Sequence, residues 1–216
     1  VIWNTGYNFS AATAGLTNAE QREIAAYLDR GGNIFLSGQD ILYNGVSDTF
    51  KSNYLHIANY WNDGEVYRVE GTRGDSIAHG MNLPLDFPPT YPYNYADTIQ
   101  PDSSATGIFL ASNVGYAGGF DYAALRYSSG SSTSSFNLVF FAFPFEAISL
   151  TDSNPNNQNA VMHRVLNWLG QEREPGQPVA PALDLDADDS SGVTGDNYAT
   201  TFVQGGDAVT ISDSDS

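Results

Sequence analysis

Ser37 is followed by Gly38, and both stand directly after the apolar run Ile34-Phe35-Leu36. A small hydroxyl residue and a glycine at the carboxyl end of a buried strand can form an elbow that presents a nucleophile. In an open α/β sheet, ligands and catalytic groups gather past those carboxyl ends. The same hydroxyl, or the carboxylate of Asp40, can instead cap the N-terminus of a following helix. Both readings are open. A serine nucleophile needs a base within hydrogen-bond reach, and the chain holds three histidines, His56, His79 and His163. His56 and His163 fall in helical patterns and read as surface or satisfied residues. His79 lies in the loop Ala78-His79-Gly80, where flexible backbone can carry a catalytic group. The histidines are too dispersed for a zinc site, and His-Glu-x-x-His does not occur. Cysteine is absent, which excludes disulfides and thiolate chemistry.

Two other groupings have chemical potential. Tyr91, Tyr93 and Tyr95 alternate beside prolines at 88, 89 and 92. They read either as a platform on which sugar rings stack or as a loop packed on itself. The second grouping is acidic. Residues 171–216 carry ten acidic side chains and one basic one, a net of −9, while the whole chain has a net charge of −17. An acidic run is ordinarily a solvated face.

The elements that position these groups follow from local patterns. Thr17-Asn18-Ala19-Glu20 is a capping box, with Leu16 as the preceding apolar staple. Ile24, Tyr27 and Leu28 then share a helical face, and Gly31 supplies a left-handed C-terminal cap. With Val1-Ile2-Trp3 before it and Ile34–Leu36 after it, this is a βαβ unit with a parallel pair. Residues 41–57 read as partly helical. Residues 65–69, 105–111 and 122–127 read as strands. Residues 71–95, with their four prolines, read as a surface loop or lid. Phe136–Phe143 is the most apolar run and reads as a central strand. Residues 159–169 read as a closing helix that buries Val161, Val165, Leu166 and Leu169. Residues 171–181 read as a linker.

Several phrases carry a family resemblance: Val1-Ile2-Trp3-Asn4-Thr5-Gly6, Ala26-Tyr27-Leu28-Asp29-Arg30-Gly31-Gly32-Asn33, Phe35–Ile41 and Phe143-Pro144-Phe145-Glu146-Ala147-Ile148. Over residues 1–170 they resemble the class I glutamine amidotransferase-like, flavodoxin-like fold of secreted bacterial proteins. A first βα unit is expected to be missing, since Val1 begins inside a strand. The resemblance implies a three-layer α/β sandwich around a mainly parallel sheet, with Ile34–Leu36 and Val139–Phe143 central. It also implies a polar pocket of Asn4, Ser37, Gln39, Asp40 and Glu146 at the carboxyl edge. The alternative is that these five residues cap helices and tie loops. The family's catalytic Cys and His are absent. Ser37 stands near the nucleophile position, and Pro144 stands where the His would precede Glu146. Proline cannot relay a proton.

The tail phrases Leu183–Gly192, Asp196–Phe202 and Ala208–Asp215 resemble the opening of a cadherin-like, immunoglobulin-type bacterial repeat. Residues 182–216 are therefore expected to be an incomplete all-β module. The resemblance implies Ca²⁺ at its junctions, with Asp184, Asp186, Asp188, Asp189, Asp213 and Asp215 as candidate ligands, since hard Ca²⁺ takes six to eight oxygens. Gln204 stands where such repeats carry a Glu before Gly-Gly. An EF-hand does not fit, because Gly at its sixth and Glu at its twelfth position are lacking.

Only eight Lys and Arg are present, scattered along the chain, so nucleic acid is not an expected partner. No apolar run reaches the roughly 18 residues of a membrane span, so no insertion is expected. The composition is rich in Asn, Ser, Thr, Gly and aromatics and poor in Lys, in the manner of a secreted bacterial protein. The sequence expectation is an extracellular or cell-surface accessory module without catalysis. Its expected partners are other domains of the same long chain and a glycan or cell-surface ligand. The alternative is a hydrolase with Ser37 as nucleophile, assisted by Glu146 or His79.

Overall fold

Helix α1 (Asn18–Asp29) starts at its capping box. Thr17 Oγ1 accepts the Glu20 N–H at 3.2 Å, and the Glu20 carboxylate accepts the Thr17 N–H at 2.7 Å. Gly31 follows the helix with φ of 84°, a conformation glycine adopts without steric penalty, and its N–H reaches the Leu28 carbonyl. The helix joins β1 (Ile2–Gly6) to β2 (Asn33–Gly38), which pair in parallel. The computed structural model describes residues 1–10, 14–43, 45–90, 92–115, 119–130 and 136–171.

The chain continues through α2 (Asp48–Asn53), β3 (Ile57–Trp61), β4 (Val66–Gly71), β5 (Asn82–Pro84), β6 (Thr98–Pro101), β7 (Thr106–Val114), β8 (Tyr122–Ser128), β9 (Asn137–Phe141) and α3 (Gln158–Gln171). The strands form one sheet in the order β1-β2-β9-β8-β7-β4-β5, with β6 bridging β3 to β8 off that path. Strand β9 lies parallel to β2 and antiparallel to β8.

Alternation along β2 and β9 sends side chains to two faces. Phe35, Val139 and Phe141 join α3 residues Val161, Val165, Trp168 and Leu169 on one face. Ile34, Leu36, Leu138 and Phe140 join Ile24 and Leu28 of α1 and Phe50 of α2 on the other. Covering both faces explains why these strands are apolar throughout. Burying each such large side chain contributes roughly 1.5–3 kcal/mol.

This architecture corrects the expected fold. Among the described residues two strand pairings are parallel, β1–β2 and β2–β9, and six are antiparallel. The mixed sheet curls into a half-barrel and carries three α-helices. It is neither a three-layer α/β sandwich around a mainly parallel sheet nor flavodoxin-like, and the amidotransferase-like resemblance falls with it. The βαβ start reads correctly as parallel. The β7–β8 and β8–β9 neighbours are joined by connections too short for a crossover helix and pair antiparallel, and β3–β6 and β4–β7 pair antiparallel between strands distant in the chain.

Three local readings also change. The 71–95 segment is not simply a surface lid: Ile77, Ala78, Met81, Leu83 and Leu85 are core residues, and Leu83 lies opposite Val69. Pro84 is tolerated there because β5 is an edge strand. Ile57 ends no helix but begins β3. Leu166 is 47% exposed, and Trp168 takes its expected place in the core. The 182–216 module, its candidate ligands Asp184, Asp186, Asp188, Asp189, Asp213 and Asp215, and most of the 171–181 linker lie outside the described residues.

Candidate functional site

The carboxyl ends of β1, β2 and β9 converge, and four of the five expected pocket residues, Asn4, Ser37, Gln39 and Glu146, are found there in defined ties. Ser37 is fully buried; its hydroxyl donates to the Phe143 carbonyl at 3.0 Å and accepts the Phe145 N–H at 2.9 Å. It caps no helix; Ser47 caps α2 instead. Asn4 donates to Glu146 Oε1 at 2.6 Å and accepts the Gly6 N–H at 3.0 Å. Gln39, also fully buried, donates to the Tyr7 carbonyl at 2.8 Å and accepts the Tyr95 N–H at 3.0 Å. These contacts join β1, β2, the turn after β9 and the loop before β6.

The histidines are engaged elsewhere. His79 Nδ1 accepts the Gly74 N–H at 3.1 Å, and Arg164 holds the His79 carbonyl at 2.8 Å. His163 contacts Asn167 on α3. His56 stacks on Tyr127 with centroids 3.4 Å apart, and its Nδ1 lies 3.1 Å from Asp102 and 3.0 Å from Ser104. Serine and aspartate therefore share one imidazole nitrogen, whereas a catalytic relay places them on opposite nitrogens.

Asp40 leads to a different grouping. It stands just past β2, Asp63 lies in the β3–β4 turn, and Asp97 immediately precedes β6. One carboxylate oxygen from each lies within 4.8 Å of the others. Asp97 is 1% and Asp40 5% exposed. Asp63 donates its backbone N–H to Asp97 Oδ1 at 3.0 Å. Two unit charges 4.8 Å apart repel by about 3–4 kcal/mol at an effective dielectric of about 20. Burial, then the charge of Asp63, pushes Asp40 up to about 7. Burial also holds Asp97 well above the usual range, with Asp40 and Asp63 adding to it against the opposing Asp63 N–H bond. Such a group offers three carboxylates, up to six oxygens when each binds through both, to a hard cation whose remaining positions water or backbone carbonyls can fill. Asp40, Asp63 and nearby Glu65 have φ of 59°, 54° and 49°, values rare for residues with a side chain.

Beside this cluster lies an aromatic patch. Tyr93 and Tyr95 stack with centroids 5.8 Å apart and planes 18° apart. Phe9 meets them at 5.5 and 5.3 Å. Phe9 is 40% and Tyr93 53% exposed. The Tyr95 phenol is held up by burial and then by Asp63, Tyr93, Asp40 and Glu65, which places the patch next to the carboxylates. Tyr91, the third expected platform residue, lies outside the described residues. Sequence reading missed Phe9, Asp63 and Asp97. Asp63-Gly64 is recognisable only as a turn, and no spacing links 40, 63 and 97.

No family model matches the chain, and no curated protein matches it. Solved structures similar to it include the mmIFT52 N-terminal domain, at 15% identity and a TM-score of 0.46, covering 78% of this chain and 76% of that one. Another is a β-galactosidase from Rahnella sp. R3, at 13% identity and a TM-score of 0.46. That match covers 78% of this chain and 22% of the galactosidase chain. At this overlap neither likeness assigns a fold family or an activity.

Proposed function

We propose that residues 1–171 form a non-catalytic binding module that takes a glycan on the Phe9–Tyr93–Tyr95 patch. The observation that carries this reading is a stacked tyrosine pair, Tyr93 about half exposed and Tyr95 partly buried, edged by a third ring and rimmed with carboxylates. Exposed aromatic faces bind the apolar faces of a ligand, and neighbouring polar groups orient it. Carboxylates accept hydrogen bonds from hydroxyl groups, and a net charge of −17 disfavours anionic ligands. The alternative, hydrolysis at Ser37, meets a hydroxyl that is buried and bonded to backbone on both sides. A cell-surface setting is supported by the composition. For residues 182–216 the proposal is Ca²⁺ ligation by Asp184, Asp186, Asp188, Asp189, Asp213 and Asp215, supported by their clustering in sequence and testable by calorimetry with Mg²⁺ as control.

A glycan array probed with the full chain and with Tyr93→Ala tests the platform. Neutral glycans retained by the parent chain and lost by the variant support it. An array without hits, or hits unaffected by the substitution, removes it.

A further inference from the structure

Strand β3 lies off the main path of the sheet and, among the described residues, pairs with β6 alone. Its opposite edge presents backbone N–H and C=O groups with no ladder partner there, a template for another strand. The sequence Ile57-Ala58-Asn59-Tyr60-Trp61 puts no charge and no proline on that edge, the residues that ordinarily keep foreign strands off. At the far edge of the sheet, by contrast, β5 has three residues and ends in Pro84.

Beside the β3 edge runs a groove of about 490 Å³, with α2 as its other wall. Successive side chains of a strand point to opposite faces, yet Ile57, Ala58, Asn59 and Tyr60 all line this groove. Four consecutive residues border one groove when it follows the edge of a strand, not when it lies on a face. A gap between a strand edge and a helix has the form that an extended chain fills.

We propose that the free edge of β3 takes an extended basic peptide of a partner protein, which adds as a further strand in the groove beside α2. Main-chain hydrogen bonds supply the affinity in this mode, and side chains along the groove supply selectivity. The register shift between Ile57 and Asn59 leaves Asn59–Trp61 as the regular stretch for pairing. Charge selects the peptide. Lys51 is mostly buried, its ammonium 2.9 Å from Asp48 and 4.9 Å from the centre of the Tyr60 ring. The Asp48 side chain is fully exposed at the groove, and Trp61, at the end of the strand, is 44% exposed. A carboxylate and an indole face both attract Lys or Arg. The net charge of −17 draws the same peptide and repels a second copy of this chain.

The inference does not depend on the glycan reading, and its test uses no glycan. Synthetic peptides of about eight residues span the five of β3. One alternates Val and Lys, one alternates Val and Glu, and a third is the Val–Lys peptide with its backbone nitrogens methylated. Each is titrated into the full chain at about 0.15 M ionic strength, where diffuse attraction is screened, and amide exchange is read along β3. The expected result is saturable binding of the Val–Lys peptide that slows exchange of outward-facing β3 amides at least about tenfold. The methylated and Val–Glu peptides should bind at least about tenfold more weakly. Asp48→Asn and Trp61→Ala should each weaken Val–Lys binding several-fold; Asp48→Asn alters only an exposed side chain, so it decides even if Trp61→Ala does not fold. Equal binding of the methylated peptide, protection at another edge instead, or no binding by any of the three overturns the proposal. So does β3 protection that grows with protein concentration alone, which would give the edge to a second copy.

Discussion

Ser37 and Phe143 are joined by a hydrogen bond of 3.0 Å between side-chain hydroxyl and backbone carbonyl, across 106 residues of chain. The same oxygen accepts the Phe145 N–H, so one small side chain closes the carboxyl ends of two neighbouring parallel strands. Ser37→Ala is expected to cost about 1–3 kcal/mol by leaving buried backbone groups unpaired. Urea unfolding measures this, and active-site serine probes should leave the parent chain unlabelled. Stable labelling at Ser37 would return hydrolysis to first place.

Gly71 lies where β4 meets the segment before β5. A Cβ there would collide with the backbone carbonyl of Ala78. Gly71→Ala should destabilise by about 1–3 kcal/mol through overpacking. A neutral effect in thermal unfolding would show that the 71–81 segment is not held as described.

The apolar strands and the capping box were legible because each is a short-range pattern. Thr17 and Glu20 are three residues apart, and β2 and β9 are continuous apolar runs. The sheet's antiparallel half was not legible as such, because a run like Ile57–Trp61 fits a helix end or a strand until its partner β6 is known. At the site, Asn4, Ser37, Gln39, Asp40 and Glu146 could be placed at one edge from the strand ends they follow. Asp63, Asp97 and Phe9 could not, because tertiary folding alone brings them to Asp40 and Tyr95.

Alkaline stability depends on the carboxylate cluster. Raised values for Asp40 and Asp97 mean that the folded chain keeps protons the unfolded chain has released. For Asp40 that stabilisation is complete below the ordinary value of 3.8 and is lost as pH rises through about 7, and Asp97 acts in the same direction. Asp97→Asn should therefore unfold later than the parent above neutral pH, by about 2–4 °C for each kcal/mol recovered. Equal loss of stability with pH in both proteins would contradict this.

Acid stability depends on His56. Burial lowers its pKa below 6.5, outweighing Asp102, and its Nε2 is buried without a hydrogen-bond partner. The folded chain thus binds fewer protons than the unfolded one, so stability is full above 6.5 and falls as pH drops toward the lowered value. His56→Asn suits the φ of 55° at this position and should flatten that limb, whatever it does to stability at neutral pH. An unchanged slope in denaturant titrations between about pH 5 and about pH 6.5 would exclude His56 as its source.

Calorimetric titration of a neutral oligosaccharide into the full chain, compared with Tyr93→Ala, tests the binding account most directly. Tyr93 is 53% exposed, so its truncation should leave the unfolding temperature nearly unchanged. The account predicts saturable binding by the parent chain and at least about tenfold weaker binding by the variant, the equivalent of about 1.4 kcal/mol. Equal affinity in both proteins, with both folded, would contradict it.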